Sequence, residues 1–269
     1  NYDEALNGLN LIIEKDKNNL SILSTIGDIY VIKGNLIEAV EIFDKIIEIN
    51  PKLAVIYNNK GFCLLRMKNY NESILNFQKA IQNKKDYYEA YNNLGIAFMK
   101  LGSNSDAKSN FLNAIRYKEN YFQAYNNLST MALEENNIED VIKYSNKSIE
   151  YNKKNVEAYN TLGLVFMKKR EFKTSITYFN KALEVNENYL PALINLAKDY
   201  EELNDIDKSI ELINRTLKIQ PENINSLSTL IYLKLKLCDW KNLEILKKNF
   251  LSYATHQKTK LCNLIIHYY

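Results

Sequence analysis

Asparagine residues recur along this chain at a constant interval, and their side-chain amides are the groups whose type and spacing suggest chemistry. Adjacent pairs follow one another every 34 residues, as Asn58–Asn59, Asn92–Asn93 and Asn126–Asn127. Each amide carries two donors and one acceptor, so a row of them can pair with both N–H and C=O of an extended peptide. Asparagine is a poor helix former, and packing between helices is the alternative reason for its repeated use.

Residues that perform catalysis are scarce. The chain has two histidines and three cysteines. His256, His267 and Cys262 have no further ligands at metal-binding spacing. The seven glycines form no phosphate-binding loop. We therefore expect no catalytic residue, no cofactor and no metal in this segment, which we interpret as non-enzymatic.

A longer pattern with the same 34-residue period organises the chain. In residues 88–121, positions 4, 7, 8, 11, 20, 24 and 27 are Tyr91, Leu94, Gly95, Phe98, Ala107, Phe111 and Ala114. Six consecutive units without insertion begin at Leu20, Ala54, Tyr88, Phe122, Val156 and Leu190, and the sixth ends at Asn223. Apolar residues three and four apart predict two short helices in each unit. Small residues at positions 8, 20 and 27 let the two helices pack closely.

This pattern resembles the tetratricopeptide repeat. The resemblance implies an all-α fold, a right-handed superhelical solenoid of antiparallel helix pairs. We predict first helices near 21–33, 55–67, 89–101, 123–135, 157–169 and 191–203, and second helices near 37–49, 71–83, 105–117, 139–151, 173–185 and 207–219. Gly34, Gly102, Asn136 and Asn204 occupy position 15, where a left-handed residue can end the first helix.

The chain is predicted to have three parts. Residues 1–19 fit the second helix of a truncated repeat, residues 20–223 are the six units, and residues 224–269 are a degenerate last repeat followed by a cap or linker. We also expect further sequence upstream of Asn1. In the fourth unit Ser145 and Ser148 stand where neighbouring units have Phe and mostly Ala, so its second helix is expected to be the loosest.

The resemblance also implies a binding groove. In tetratricopeptide repeats the first helices line the concave side, with positions 2, 5, 6, 9, 12 and 13 facing the groove. Amides at positions 5 and 6 would hold the backbone of an extended peptide, and apolar residues at position 9 would receive its side chains. The predicted groove residues are Asn58, Asn59, Phe62, Asn92, Asn93, Ile96, Asn126, Asn127, Asn160, Leu164 and Asn195.

Together with this row of amides, the triplet Cys238-Asp239-Trp240 resembles the repeat arm of O-linked N-acetylglucosaminyltransferases, in which such a triplet precedes the catalytic region. That resemblance implies a substrate-recruiting arm. The alternatives are a freestanding scaffold for complex assembly and an arm of another repeat-fused transferase. Trp240 also fits a simpler role, as a plug over the end of the apolar stack.

The charge balance and the cysteine content restrict the classes of partner and the cellular location that the sequence predicts. The 35 basic and 32 acidic residues nearly balance and form no basic face, which disfavours nucleic acid. No long apolar run indicates a membrane span. Lysine is absent from position 5, which excludes the carboxylate clamp of chaperone-binding repeats. We expect protein partners. The three cysteines are odd in number and far apart, which favours a reducing compartment and hence a cytoplasmic location. A homo-oligomer is possible, but no feature of the sequence indicates one.

Overall fold

A computed structural model describes the backbone of residues 2–266 and the side chains of residues 2–255. All regular structure within that range is α-helical. His267 and the side chains of His256 and Cys262 lie outside the described residues. The helices are α1 Tyr2–Ile13, α2 Leu20–Lys33, α3 Leu36–Ile49, α4 Ala54–Arg66, α5 Tyr70–Asn83, α6 Tyr88–Lys100, α7 Asn104–Tyr117, α8 Phe122–Glu134, α9 Ile138–Tyr151, α10 Val156–Lys168, α11 Phe172–Val185, α12 Leu190–Glu202, α13 Ile206–Ile219, α14 Ile224–Lys236 and α15 Leu243–Ile266.

The helices divide into two compact structural units, each of which contains several of the 34-residue repeats. Unit 1 is Asn1–Glu135 with α1 to α8, and unit 2 is Asn136–Tyr269 with α9 to α15. Within each unit every helix packs against the next one along the chain. The twelve helices predicted for residues 20–223 are present, and each begins and ends within one residue of the predicted bounds.

A glycine and a phenylalanine set the distance between the two helices of most pairs. The phenylalanines at position 24 are completely buried, and a Cβ atom added to the glycine at position 8 would lie only 2.4–2.7 Å from the ring. Only a residue without a side chain fits there. The pairs are Gly27 with Phe43, Gly61 with Phe77, Gly95 with Phe111, and Gly163 with Phe179.

The sixth repeat fills the same space in another way. Its position 8 is Ala197 and its position 24 is Ile213, and each of these residues is only 1% exposed. A methyl group is added on one helix and an aromatic ring is replaced by a smaller side chain on the other. Because volume-conserving changes cost least in a packed core, this exchange keeps the helix pair intact.

A left-handed residue ends the first helix of the repeats at position 15, as predicted for Gly34, Gly102, Asn136 and Asn204. The same conformation also occurs at Lys68, Arg170 and Cys238, with φ of 63°, 61° and 55°. Non-glycine side chains rarely adopt this conformation. It could not be predicted from the residue types at these three positions, and Lys68 and Arg170 resemble ordinary solvated helix ends.

Cys238 belongs to the triplet that follows the sixth repeat and ends a helix. α14 has the thirteen-residue length of most first helices, and Cys238 terminates it. Asp239 accepts a hydrogen bond from the backbone N–H of Lys241 at 2.9 Å and pairs with Lys234. Trp240 is 67% exposed, so the prediction that it plugs the end of the stack is wrong.

The two serines of α9 are fully buried. The Nδ2 of Asn155 donates to the Oγ of Ser148 at 2.6 Å, while its Oδ1 accepts from the N–H of Ala158 and caps α10. The first, second, third and fifth repeats have apolar or aromatic residues at these two positions, whereas the sixth has Thr216 and Asn223. That α9 is the least stable helix remains a prediction, and the division between the two units lies directly before it.

The contact between glycine and phenylalanine predicts that Gly95→Ala lowers the free energy of unfolding. Alanine favours a helix by up to about 1 kcal/mol over glycine, but its Cβ would meet the Cε1 of Phe111 at 2.7 Å in a closed core. We expect a net loss of about 1–3 kcal/mol in urea denaturation followed by far-UV circular dichroism.

Gly8→Ala is the matched control, because nothing lies within 4 Å of a Cβ at that helical position. It should stabilise the protein slightly. Adding Phe111→Ile to Gly95→Ala copies the Ala197 and Ile213 pair and should recover part of the loss. Equal stability of the Gly95→Ala and Gly8→Ala variants would contradict this account of the core.

Candidate functional site

The first helices of neighbouring repeats touch each other directly. In unit 1, α4 contacts α6 and α6 contacts α8, and in unit 2 α10 contacts α12. Among the described elements, second helices of neighbouring repeats have no contact of this extent. Because the first helices stand closer together, they line the inner side of the stack within each unit.

The predicted groove residues separate into two layers by burial. Asn58, Asn92 and Asn160 at position 5 are only 8%, 4% and 8% exposed. The asparagines at position 6 are half-buried. These three position-5 side chains therefore face the interior between neighbouring first helices, and position 6 lies at the solvent edge. Asn126, also at position 5, is half-buried and does not belong to the buried layer.

Hydrogen bonds join the two layers across neighbouring repeats, and we call each such bond a rung. The Nδ2 of Asn93 donates to the Oδ1 of Asn58 at 2.9 Å, and the Nδ2 of Asn127 donates to the Oδ1 of Asn92 at 2.8 Å. Position 6 of one repeat thus satisfies the buried amide at position 5 of the repeat before it. Since an unsatisfied buried acceptor costs about 1–3 kcal/mol, the rungs explain asparagine in both helix interiors.

Exceptions to the rung follow the residue types. Asn59 has Ser24 rather than an asparagine before it, and it donates instead to the Oδ1 of Asp28 at 3.4 Å. Thr25 and Thr161 donate to backbone carbonyl groups of their own helices. The rungs have a signal in the sequence that the prediction of the groove did not use: an asparagine at position 5 and another 35 residues later.

We define the amide face of unit 1 as Asn59, Phe62, Asn93, Ile96 and Asn127. After each rung forms, the amide of Asn93 or Asn127 keeps one N–H, and no described residue donates to its Oδ1. These two groups can pair with the C=O and N–H of a peptide. Phe62 is exposed and Ile96 is half-buried, one helical turn beyond Asn59 and Asn93.

Two charged residues contact the amide face, Arg66 at Phe62 and Asp28 at Asn59. The guanidinium group of Arg66 lies 5.9 Å from the centroid of the Phe62 ring and donates to the carbonyl oxygen of Val31 at 3.4 Å. On the α2 side, partial desolvation raises the pKa of the Asp28 carboxyl group. Neither Asp28 nor Arg66 was among the groove residues predicted from the sequence.

Among its described residues, unit 2 has one rung of its own. The Nδ2 of Asn195 donates to the Oδ1 of Asn160 at 3.2 Å. Leu164 packs partly into the unit 2 core that includes Phe179 and Leu196. The predicted groove residues of unit 2 thus have a structural contact, and fewer of their polar groups remain for a ligand than in unit 1.

Comparison with known proteins places this arrangement in a family. Models described as tetratricopeptide repeat match residues 20–53, 88–121 and 190–223, residues 156–189 and residues 42–74, and a TPR repeat model matches residues 64–102. Together they span 20–121 and 156–223. The chain belongs to the tetratricopeptide repeat family.

Solved structures agree with the fold of this TPR chain. Yeast Tom70 matches with a TM-score of 0.71 at 16% identity, over 98% of this chain and 57% of that one. A chain of the APC/C hetero-tetramer Cut9–Hcn1 matches with a TM-score of 0.70 at 20% identity, over 95% of this chain. This chain spans 50% of that relative. YrrB, described as a TPR protein with an unusual peptide-binding site, has a TM-score of 0.52 at 20% identity, over 70% and 96% of the two chains.

These matches confirm the predicted fold class, an all-α TPR solenoid of antiparallel helix pairs. No curated protein matches the sequence. The matching family models and the solved structures named above support the repeats and do not point to a glycosyltransferase arm. In the part of the chain that the structure describes, no three potential metal ligands come together. No helix there has the length and apolar character needed to cross a membrane. Cys63 is buried and free as predicted, and burial raises the pKa of its thiol to about 11.

The TPR core of unit 2 contains a buried carboxyl group that was not predicted from the sequence. Asp199, at position 10 of the sixth repeat, is completely inaccessible, and its equivalents in the other repeats are Ile29, Cys63, Ala97, Met131 and Val165. Its Oδ2 is hydrogen-bonded to the Oγ of Ser175, and its Oδ1 has no partner among the described residues. Burial raises the pKa of Asp199 to about 6, and the charge of Glu202 acts in the same direction.

Hydrogen counting agrees with a protonated Asp199. The Oγ of Ser175 also lies 3.0 Å from the carbonyl oxygen of Gly163, yet a hydroxyl group has one hydrogen to donate. If Asp199 is protonated, it donates to Ser175 and Ser175 donates to Gly163, so both contacts are satisfied. An ionised Asp199 would instead compete with Gly163 for the same hydrogen.

We therefore predict that the contribution of Asp199 to folding stability decreases as pH rises from about 4 to about 6. In this window the unfolded aspartate, with a pKa near 3.8, ionises before the folded one does. Above about pH 6 both states are ionised and the cost of the buried charge is constant. Asp199→Asn should raise the free energy of unfolding by about 1–3 kcal/mol at neutral pH and have little effect near pH 4.

The measurement is urea denaturation at both pH values. Asp207→Asn makes the same charge change at an exposed position of α13 and serves as the control. An Asp199→Asn variant whose stability differs from that of the parent protein by the same amount at both pH values would refute the assignment.

Proposed function

We propose that this TPR chain is a protein-interaction module and that the amide face of unit 1 binds the backbone of extended protein segments. The supporting observation is the hydrogen-bonding capacity that Asn93 and Asn127 keep after forming their rungs. Each amide can accept from a peptide N–H and donate to a peptide C=O. Phe62 and Ile96 beside them provide apolar surface for the side chains of the partner.

Backbone pairing implies broad selectivity. Every residue except proline has the same N–H and C=O, so contacts of this kind do not distinguish side chains. A single neutral hydrogen bond contributes about 0.5–1.5 kcal/mol. Affinity must therefore come from several position-6 amides that bind the same peptide. Longer unstructured segments should bind more tightly than short ones.

Two relatives are consistent with this role. YrrB is described as having a peptide-binding site, and the Cut9–Hcn1 structure is a hetero-tetramer. We extend only the general capacity to bind protein from them to this chain. The two cysteines whose side chains are described are free, which suits the cytoplasmic location expected from the sequence.

A finer hypothesis makes the module the substrate-recruiting arm of a glycosyltransferase-like protein. It rests on the amides and on the Cys238-Asp239-Trp240 triplet, which forms the turn after α14. A coding sequence that continues past Tyr269 into a nucleotide-sugar transferase domain would favour it. A different catalytic domain would favour another transferase, and a stop codon would favour a freestanding scaffold.

Replacing Asn59, Asn93 and Asn127 by alanine together should weaken binding of an unstructured probe at least about tenfold, since three sets of backbone contacts are lost. A suitable probe is fluorescein-labelled α-lactalbumin, reduced and carboxymethylated so that it cannot fold. Fluorescence polarisation measures the affinity, and circular dichroism confirms that the helix content is retained.

The triple variant also breaks two rungs, so the control must break the same bonds from the other side. Asn58→Ala with Asn92→Ala removes both rungs but keeps the amides at position 6. It should lower stability and leave probe affinity within about twofold. If both variants lose affinity equally, the asparagines act through packing alone and the proposal is wrong.

A further inference from the structure

The rungs of unit 1 repeat with one geometry, and this fixes the spacing of the groups they leave for a ligand. The two bonds, 2.9 and 2.8 Å long, join equivalent atoms of successive first helices. Helices in direct contact pack with their axes about 8–10 Å apart. The amides of Asn59, Asn93 and Asn127 therefore recur at about that interval and, for the last two, in the same orientation.

Few backbone conformations match this interval. A β-strand presents N–H and C=O to one edge at every second residue, which is about 6.6 Å, and again at about 13 Å. An α-helix uses these groups internally. A polyproline II helix has three residues per turn and a rise of about 3.1 Å, so equivalent groups recur about every 9.3 Å and none is bonded within the helix.

The apolar residues of the amide face also favour a bound segment in polyproline II conformation. Phe62 is 38% exposed, and Arg66 lies over its ring. Phe62 and Ile96 each stand three residues after an amide on the same helix, so a row of apolar surface runs beside the row of amides. Aromatic surface beside hydrogen-bonding groups suits the rings of a segment in polyproline II conformation.

We propose, building on the function above, that the amide face of unit 1 selects segments in polyproline II conformation. One residue in three meets a position-6 amide and must keep its N–H. The two residues between can be proline, and their rings pack on Phe62 and Ile96. The preferred partner is a proline-containing segment with a three-residue period.

Four fluorescein-labelled twelve-residue peptides test this with the full chain by fluorescence polarisation. One has four Ala-Pro-Pro triplets, with an N–H at every third residue. One has six Ala-Pro pairs, one has only proline, and one has four flexible Ala-Ser-Gly triplets. The Ala-Pro-Pro peptide should bind about tenfold more tightly than the flexible peptide, because its conformation is set before binding.

The Ala-Pro peptide should bind at least about fivefold more weakly than the Ala-Pro-Pro peptide, because its N–H groups meet the three-residue interval only at every sixth residue. The proline-only peptide has the right conformation and no N–H, so it should be weaker by about tenfold. The triple variant Asn59→Ala, Asn93→Ala, Asn127→Ala should remove the difference between Ala-Pro-Pro and proline-only peptides. Asn110→Ala, on α7, should preserve it, because the Asn110 amide donates to the backbone carbonyl oxygen of Asp106 within its own helix.

The outcomes separate this inference from the function it builds on. If carboxymethylated α-lactalbumin binds through the amides while the Ala-Pro-Pro peptide binds no better than the Ala-Pro or the flexible peptide, the conformational preference is wrong and the function stands. If neither α-lactalbumin nor any peptide binds, both are wrong. Equal binding of the proline-only and Ala-Pro-Pro peptides also overturns the inference, since ring contacts would then explain the affinity.

Discussion

The close approach of glycine and phenylalanine in four of the six helix pairs is the constraint on which the other features depend. A ring that lies within 2.7 Å of the place where a Cβ would stand leaves the pair a single separation. The hydrophobic effect favours burial of the ring, but burial alone is non-directional. The missing side chain converts that burial into a fixed geometry, and successive pairs within a unit then repeat it. Equivalent residues in neighbouring repeats acquire equivalent surroundings for this reason.

Asparagine at positions 5 and 6 illustrates how one residue type can have two roles. In Asn58, Asn92 and Asn160 at position 5 the amide is buried and receives a hydrogen bond, whereas the asparagine at position 6 of the next repeat provides that bond and still reaches solvent. The packing and binding explanations of the sequence pattern are therefore not exclusive. Packing explains the buried asparagines at position 5 and one of the hydrogen bonds made by those at position 6. The asparagines at position 6 alone have hydrogen-bonding groups left for a partner.

Most of the fold could be predicted from the sequence because its signals are repeated. Helix periodicity, small residues at fixed positions and Gly34 or Gly102 at helix ends recur along the six repeats and reinforce one another. Predictions that depended on single residues were less reliable. Trp240 is exposed rather than a plug, and the left-handed Lys68 and Arg170 have no local signal in their residue types. Asp199 was missed because its burial follows from its position between helices, and its residue type suggests the surface. The different burial of positions 5 and 6 could not be predicted either, because it depends on which side chain faces the neighbouring first helix in the packed structure.

Each rung is divided between two repeats, one supplying the acceptor and the next supplying the donor. No repeat is therefore self-sufficient, and its compatibility with a neighbour depends on what that neighbour carries. Asn59 after Ser24 shows the mismatch case, in which the donor finds Asp28 instead. Shuffling or duplicating repeats by recombination would conserve the helix pairs and yet create junctions of unequal quality. The side chains at positions 5 and 6 thus determine which repeats can follow one another. Chimaeras whose junction joins two repeats with matching asparagines should be more stable than chimaeras joined at other pairs of repeats.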